Sequence, residues 1–169
     1  MPLGCVHSSY RRDVAATNWL LFFHLLGAFS LFAGAAVAGT AQLAAIRRER
    51  PSEIVILLRL ARIGAVLVGV GALLTLVLGI GLAQHLGYGF SPAWIQASLG
   101  LWVAAMAVGG IGGRSARHAR YLADRLAAED DRPSPELHAL VAHRPSLWAS
   151  YASSLMILAI VVLMVWKPS

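Results

Sequence analysis

Four stretches without Asp, Glu, Lys or Arg punctuate the chain: Trp19 to Ile46, Ile63 to the Gln84-His85 pair, Ala93 to Gly113, and Ser146 to Trp166. Each is long enough, at about 1.5 Å per residue, to cross roughly 30 Å of hydrocarbon as a helix. A bilayer core offers no water to bare backbone groups, so helices that satisfy their own N–H and C=O groups are the spanning solution for such segments. The pattern predicts an all-α fold: a single integral-membrane domain built as an antiparallel four-helix bundle. Its helices are expected at about 18–46, 52–86, 92–128 and 146–167, with a cytoplasmic loop at 129–145.

The connectors carry local structure of their own. Beyond Gly113, the run from Arg114 through His118 and Tyr121 to Arg125 repeats apolar positions at helical spacing, extending the third helix past the membrane. Asp130 to Pro135, with two prolines, breaks it. Ser134 followed by Glu136 and Leu137 marks the start of a short helix before Pro145. In Leu57-Leu58-Arg59-Leu60-Ala61-Arg62 the two arginines share a helix face leading into the second span. They are expected to snorkel to headgroups, or to pair with Glu49, Glu53 or an acidic ligand.

At 3.6 residues per turn, His24, Gly27, Leu31, Gly34, Ala35, Ala38 and Gln42 fall on one stripe of the first helix, while Phe22, Phe29 and Phe32 lie elsewhere. Small residues let helix backbones approach closely, so this stripe is expected to face the bundle and to leave a slot for a flat ring. The second helix offers Gly64, Gly69, Gly71, Gly79 and Gly81, and the third pairs Gly109 with Gly113 at small-xxx-small spacing. These glycines sit in apolar helix with no preceding strand, which excludes a phosphate-cradling loop.

Composition and charge place the bundle. With 58% hydrophobic and 13% charged residues and a mean hydropathy of +0.68, the 169-residue chain has too much apolar surface for a soluble globule. Eleven of the fourteen basic residues lie in the first and third connectors. Lys and Arg near helix ends favour the cytoplasm, so both basic loops are expected inside and both termini outside, in a bacterial inner (plasma) membrane. The net charge of +6 is concentrated in these loops and suits membrane lipid headgroups; no nucleic-acid module is recognisable. Tyr10-Arg11-Arg12 ahead of an apolar run, with Ala36-Val37-Ala38 beyond, imitates a secretory signal. The run, however, continues to Ile46 and into basic residues, as a span does. Cys5 is the single cysteine and forms no internal disulfide.

His24 is the candidate for chemistry. It is the histidine placed well inside a span, about one and a half turns from the outer surface, and an ionisable ring in hydrocarbon has a structural partner or a task. The second helix returns to that surface at His85, and two imidazoles near one depth are a common means of holding haem b or, with a further ligand, copper. Three readings stand open for His24: structural hydrogen bonding, haem or porphyrin ligation, and copper or another role. Met106 and Met156 are candidate soft ligands that also suit packing. His118, His138 and His143 are expected to be solvated. No Asp or Glu lies in a span, which argues against a carboxylate-driven cation pathway, and no nucleophile stands beside a base.

Trp19 followed by Phe23-His24-Leu25-Leu26-Gly27, arginines opening the second helix, and Leu163-Met164-Val165-Trp166-Lys167-Pro168 at the end resemble an uncharacterised bacterial integral-membrane family, domain of unknown function 2269. The resemblance spans about 19–168 and is most specific at the histidine and the terminal Met-Val-x-Lys-Pro. That family looks related to copper-resistance D-like proteins and to HemJ-type protoporphyrinogen oxidases. The HemJ resemblance implies a haem-binding role for His24 and matches Lys167 to a terminal lysine; Ala28 to Gly34 departs from the HemJ signature, so oxidase activity does not transfer.

Two functional classes follow. In the first, the protein binds haem b or porphyrin, with His24 an axial ligand, His85 or a methionine the second, and Arg59, Arg62 or Lys167 paired with a propionate. In the second, it is a non-catalytic accessory subunit that packs its glycine-rich faces against a larger respiratory or photosynthetic complex. Copper handling is a third possibility, weakened by the lack of a methionine or cysteine ladder.

Overall fold

The computed structural model describes residues 4–88, 91–129 and 131–166, with side chains from Val14 onward. Five helices follow one another: α1 Gly4–Ile46, α2 Pro51–His85, α3 Ala93–Glu129, the short α4 Pro135–Val141 and α5 Arg144–Trp166. No strand occurs among the described residues. Four helical segments are long and apolar enough to cross a membrane: Val14–Ile46, Pro51–His85, Ala93–Glu129 and Pro135–Trp166. The first helix starts well before Trp19, because nothing between Gly4 and Asn18 breaks a helix once the apolar run has nucleated one.

Two tight helix pairs make up the fold: α1 on α2 and α3 on α5, joined mainly where α2 meets α3. Along the first pair, Gly27 lies against Thr75, Leu31 against Gly71, and Gly34 and Ala38 against Gly64, so the two helices run in opposite directions. The contact is backbone on backbone. A Cβ at Gly34 would lie 2.6 Å from the Gly64 carbonyl oxygen, and one at Gly64 would lie 2.6 Å from the Ala38 nitrogen. No side chain fits there, and the helices approach as closely as glycine alone permits. The expected stripe therefore does face the bundle, but the slot for a flat ring is absent along it: the opposing helix fills the space.

The second pair is held by hydroxyls. Ser153 Oγ donates to the Ala105 carbonyl at 2.9 Å and Ser146 Oγ to that of Gly112 at 2.8 Å. Gly109 and Gly112 face these serines, whereas Gly113, expected as the small partner of Gly109, has nothing within 4 Å of a Cβ built on it. A spacing of four residues turns through more than one helical repeat, and here the neighbour lies on the side that Gly109 and Gly112 share.

Between the pairs, Leu31, Ala72, Ala105 and Ile157 form one buried cluster, with Trp102, Met106 and Met156 packed on it. A second cluster lies at the basic end, where Ala45, Ile54, Leu58, Ala119, Leu137 and Val141 come from α1, α2, α3 and α4. This end is a small headpiece. Ser134 caps α4 by accepting from Leu137 N at 3.4 Å, as its sequence signature predicts. Gln42 Nε2 donates to the Val141 carbonyl at 2.9 Å, and Ser115 Oγ to that of Leu140 at 3.2 Å.

Asp131 fastens the headpiece to α2. Arg50 at the α2 N-cap makes no side-chain cap bond, and the Asp131 carboxylate takes over, accepting from Ser52 N and from Ser52 Oγ, both at 2.8 Å. Asp131 adopts φ 48°, a left-handed conformation that aspartate tolerates better than most residues. The Ser52 backbone N–H, and after it the Ser52 hydroxyl, hold the Asp131 carboxyl below the usual carboxylate range.

Away from these contacts the molecule is apolar and bare. The most apolar stretch of each of the first three candidate spans is 17% buried and that of the fourth 6%, so most of their surface is left to lipid. Exposed Trp19, Tyr88 and Trp166, with half-buried Trp94, collect at one end and exposed Trp148 at the other, as interfacial aromatics do. The charge-free stretches of α2, α3 and α5 measure about 32 Å and that of α1 about 42 Å.

Gly34→Ala and Gly64→Ala are expected to lower stability in detergent by about 1–3 kcal/mol through overpacking, while Gly39→Ala and Gly69→Ala, with nothing within 4 Å, should cost nothing measurable. Equal losses at seam and control positions in thermal unfolding would contradict the seam. Asp131→Ala should lower the melting temperature by a few degrees above the ordinary carboxylate pKa, where the lowered pKa contributes stability. That difference should vanish as pH falls through the lowered pKa and the wild-type carboxylate also protonates, which melting curves across acid pH will test.

Candidate functional site

The α1 stripe carries His24 onto the face that meets α2, one turn beyond Gly27. Its ring lies against Gly79: a Cβ there would come 3.0 Å from His24 Cε1 and 3.3 Å from Nδ1, so the missing side chain is what admits the imidazole. Nδ1 lies 3.0 Å from the Thr75 carbonyl oxygen. A carbonyl only accepts, so Nδ1 carries the proton and donates; in the neutral ring, Nε2 then holds a lone pair. A histidine that gives one N–H to a backbone carbonyl and keeps the other nitrogen bare is oriented as metal-bound histidines usually are. The same bond also ties α1 to α2.

Thr75 Oγ1, Ser98 Oγ and Trp102 Nε1 are buried without a hydrogen-bond partner among the described residues, and Ser98 is only 6% exposed. Ser98 and Trp102 stand four residues apart on one face of α3. Both stand on the α3 face of Ala105, whose carbonyl receives the Ser153 hydroxyl of α5, so they belong to the α3–α5 contact. Unsatisfied polar atoms inside a bundle are costly. Thr75, Ser98 and Trp102 escaped the sequence reading, which offered Gly79 only as one of several small residues on the second helix. The available signal was Thr75 itself, the one hydroxyl between Ile63 and Ala83.

The other residues expected at this site lie elsewhere. His85 is exposed and six residues past Gly79, about 9 Å further along α2, so the two imidazoles do not share a depth. Arg59 and Arg62 sit at the opposite end of the bundle, about 30 and 26 Å along α2 from Gly79. Arg59 pairs with Asp124 at 3.0 Å, and Glu53, one of its expected partners, takes Arg48 at 3.2 Å. Lys167 lies outside the described residues. Met106 and Met156 pack on the central cluster. His118, His138 and His143 are exposed, with His118 Nδ1 3.1 Å from the Arg114 carbonyl and His138 lining a 230 Å³ cavity with Glu49 at the basic end. Among the described residues no group of three or more His, Cys, Asp or Glu side chains is placed to hold a metal ion. The α1–α2 seam beside His24 is closed and leaves no room for a flat group.

No curated protein and no solved structure matches the chain. The family model described as a predicted integral membrane protein, domain of unknown function 2269, matches residues 18–168. With nearly its whole length covered, and four helices able to span a membrane, the chain belongs to this family of integral membrane proteins.

Proposed function

We propose that this multi-pass membrane protein holds a b-type haem through His24 Nε2, in a bacterial plasma membrane with its basic headpiece in the cytoplasm and its termini outside. The observation that carries the reading is the His24 Nδ1 contact with the Thr75 carbonyl at 3.0 Å, which leaves Nε2 as the nitrogen with a free lone pair. A haem would supply one-electron chemistry. In this chain, the Thr75 carbonyl orients the ring and Gly79 makes room for it. His24 is the one histidine at this depth, so the reading is of a single protein imidazole rather than the His24–His85 pair.

An accessory-subunit role is the second reading, favoured by α5, which packs chiefly on α3 and leaves its apolar stretch 6% buried. Copper handling has no ligand cluster behind it among the described residues.

An absorption spectrum of the detergent-purified protein, oxidised and then dithionite-reduced, should show a Soret band with sharpened α and β bands. His24→Ala should lose at least nine-tenths of the pigment and His85→Ala should keep it. A featureless spectrum from folded protein expressed with ample haem would sink the haem reading and favour the accessory subunit. Independently of any cofactor, ¹⁵N NMR of labelled histidine should place the His24 proton on Nδ1; a proton on Nε2 would remove the basis for ligation.

A further inference from the structure

Charges at the basic end are segregated by height above the membrane. The described carboxylates there, Glu49, Glu53, Asp124, Glu129, Asp131 and Glu136, all belong to the headpiece, and they pair Arg48, Arg59 and Arg125 within it at 3.0 to 3.2 Å. Closer to the apolar spans the pattern reverses. Arg62 is the last charged residue before the apolar part of α2, Arg114 the first after that of α3, and Arg144 the last before that of α5. The α2–α3 register sets Arg62 level with Ser115, and the bond from Ser146 to Gly112 sets Arg144 at nearly the same height. Arg117 follows Arg114 by three residues, on the same helix face.

All four of these arginines are exposed, and none forms an ion pair with a described carboxylate. Three different helices thus present uncompensated guanidinium groups in one layer, where the apolar spans end. Trp148, one turn beyond Arg144 and 71% exposed, marks that layer as the interface. In the next layer up Glu53, Asp124 and Glu129 hold other arginines and Asp131 holds Ser52, which leaves the four arginines of this layer without a carboxylate.

We propose that Arg62, Arg114, Arg117 and Arg144 form a binding surface for the phosphate of anionic phospholipids. Guanidinium presents paired donors to phosphate oxygens, stays charged at any physiological pH, and lets its stem lie along apolar surface while its head reaches the phosphate. The ligand chemistry is a phosphodiester held at the membrane surface, and the source is lipid rather than free phosphate because the layer coincides with the ends of the spans. Nothing in this assignment depends on His24 or on a cofactor.

Reconstitution into nanodiscs of equal parts phosphatidylglycerol and phosphatidylcholine, followed by native mass spectrometry of the released protein, reads the lipids that stay bound. Wild type should retain phosphatidylglycerol over phosphatidylcholine roughly tenfold, and the Arg62→Gln, Arg114→Gln, Arg117→Gln, Arg144→Gln variant should approach parity. A control with Arg47, Arg48, Arg50 and Arg125 changed to Gln removes the same charge from the headpiece and should keep the preference. If the fourfold variant fails to fold by circular dichroism, Arg62→Gln and Arg114→Gln singly should each give a partial loss. Equal retention of both lipids by wild type, an equal loss in the headpiece control, or displacement of phosphatidylglycerol by millimolar inorganic phosphate would each overturn the proposal; the last would indicate a site for the free ion.

Discussion

Close contact between the α1 and α2 backbones is the constraint from which most of the architecture follows. In a bilayer, apolar side chains gain little by leaving lipid for one another, so helices associate through packing and through the few polar bonds they can share. Gly34, Gly64 and Gly71 bring two backbones to a separation no side chain allows. The bulky residues displaced from that seam, Phe22, Phe29 and Phe32 among them, must then face outward, where lipid accepts them without cost. A soluble protein could not carry this arrangement, because the same faces would drive aggregation.

The two helix pairs use different solutions to one problem. In α3 and α5 the approach is moderate, with Gly109 3.1 Å from Ser153 Oγ for a built Cβ, and serine hydroxyls supply directional bonds to carbonyls across the interface. In α1 and α2 the approach is extreme and the bonds are few: Ser30 Oγ reaches the Leu67 carbonyl at 3.4 Å, and His24 reaches that of Thr75 at 3.0 Å. His24 thus has a packing role whatever else it does. The headpiece holds the pairs together outside the lipid, where burying Ile54, Leu58 and Leu137 from water is a real driving force and where the Asp131 clamp has its water-exposed partners.

The spans were legible because the bilayer imposes length and excludes charge, and the face of α1 because small and large residues separate cleanly at 3.6 periodicity. Ser134 as the start of α4 could be read from local chemistry alone. Contacts between distant residues could not. That Asp131 caps α2, seventy-nine positions from Ser52, or that Arg59 meets Asp124 rather than Glu53, depends on where α3 ends relative to α2. The same limit applied to the site. A helix-one histidine announces itself in an apolar run, but the residue that would complete its surroundings is selected by register. His85 looked level with His24 when both were counted from the outer ends of their helices; the seam shows α2 continuing about 9 Å past the ring before His85 is reached.

Register also narrows the chemistry open to His24. With α2 closed against it through Thr75 and Gly79, the ring keeps one nitrogen that does not carry the proton. The Ser98 hydroxyl is nearly inaccessible and unbonded within a span otherwise economical in polar groups, where an unmet hydroxyl costs stability that alanine would not. A purely structural His24 accounts for the Thr75 bond and for Gly79. Ser98 and Trp102, seven and three residues before Ala105, lie on the α3 face that receives Ser153 of α5, so their unmet polar atoms belong to the α3–α5 contact and leave the role of the histidine where the Thr75 bond sets it.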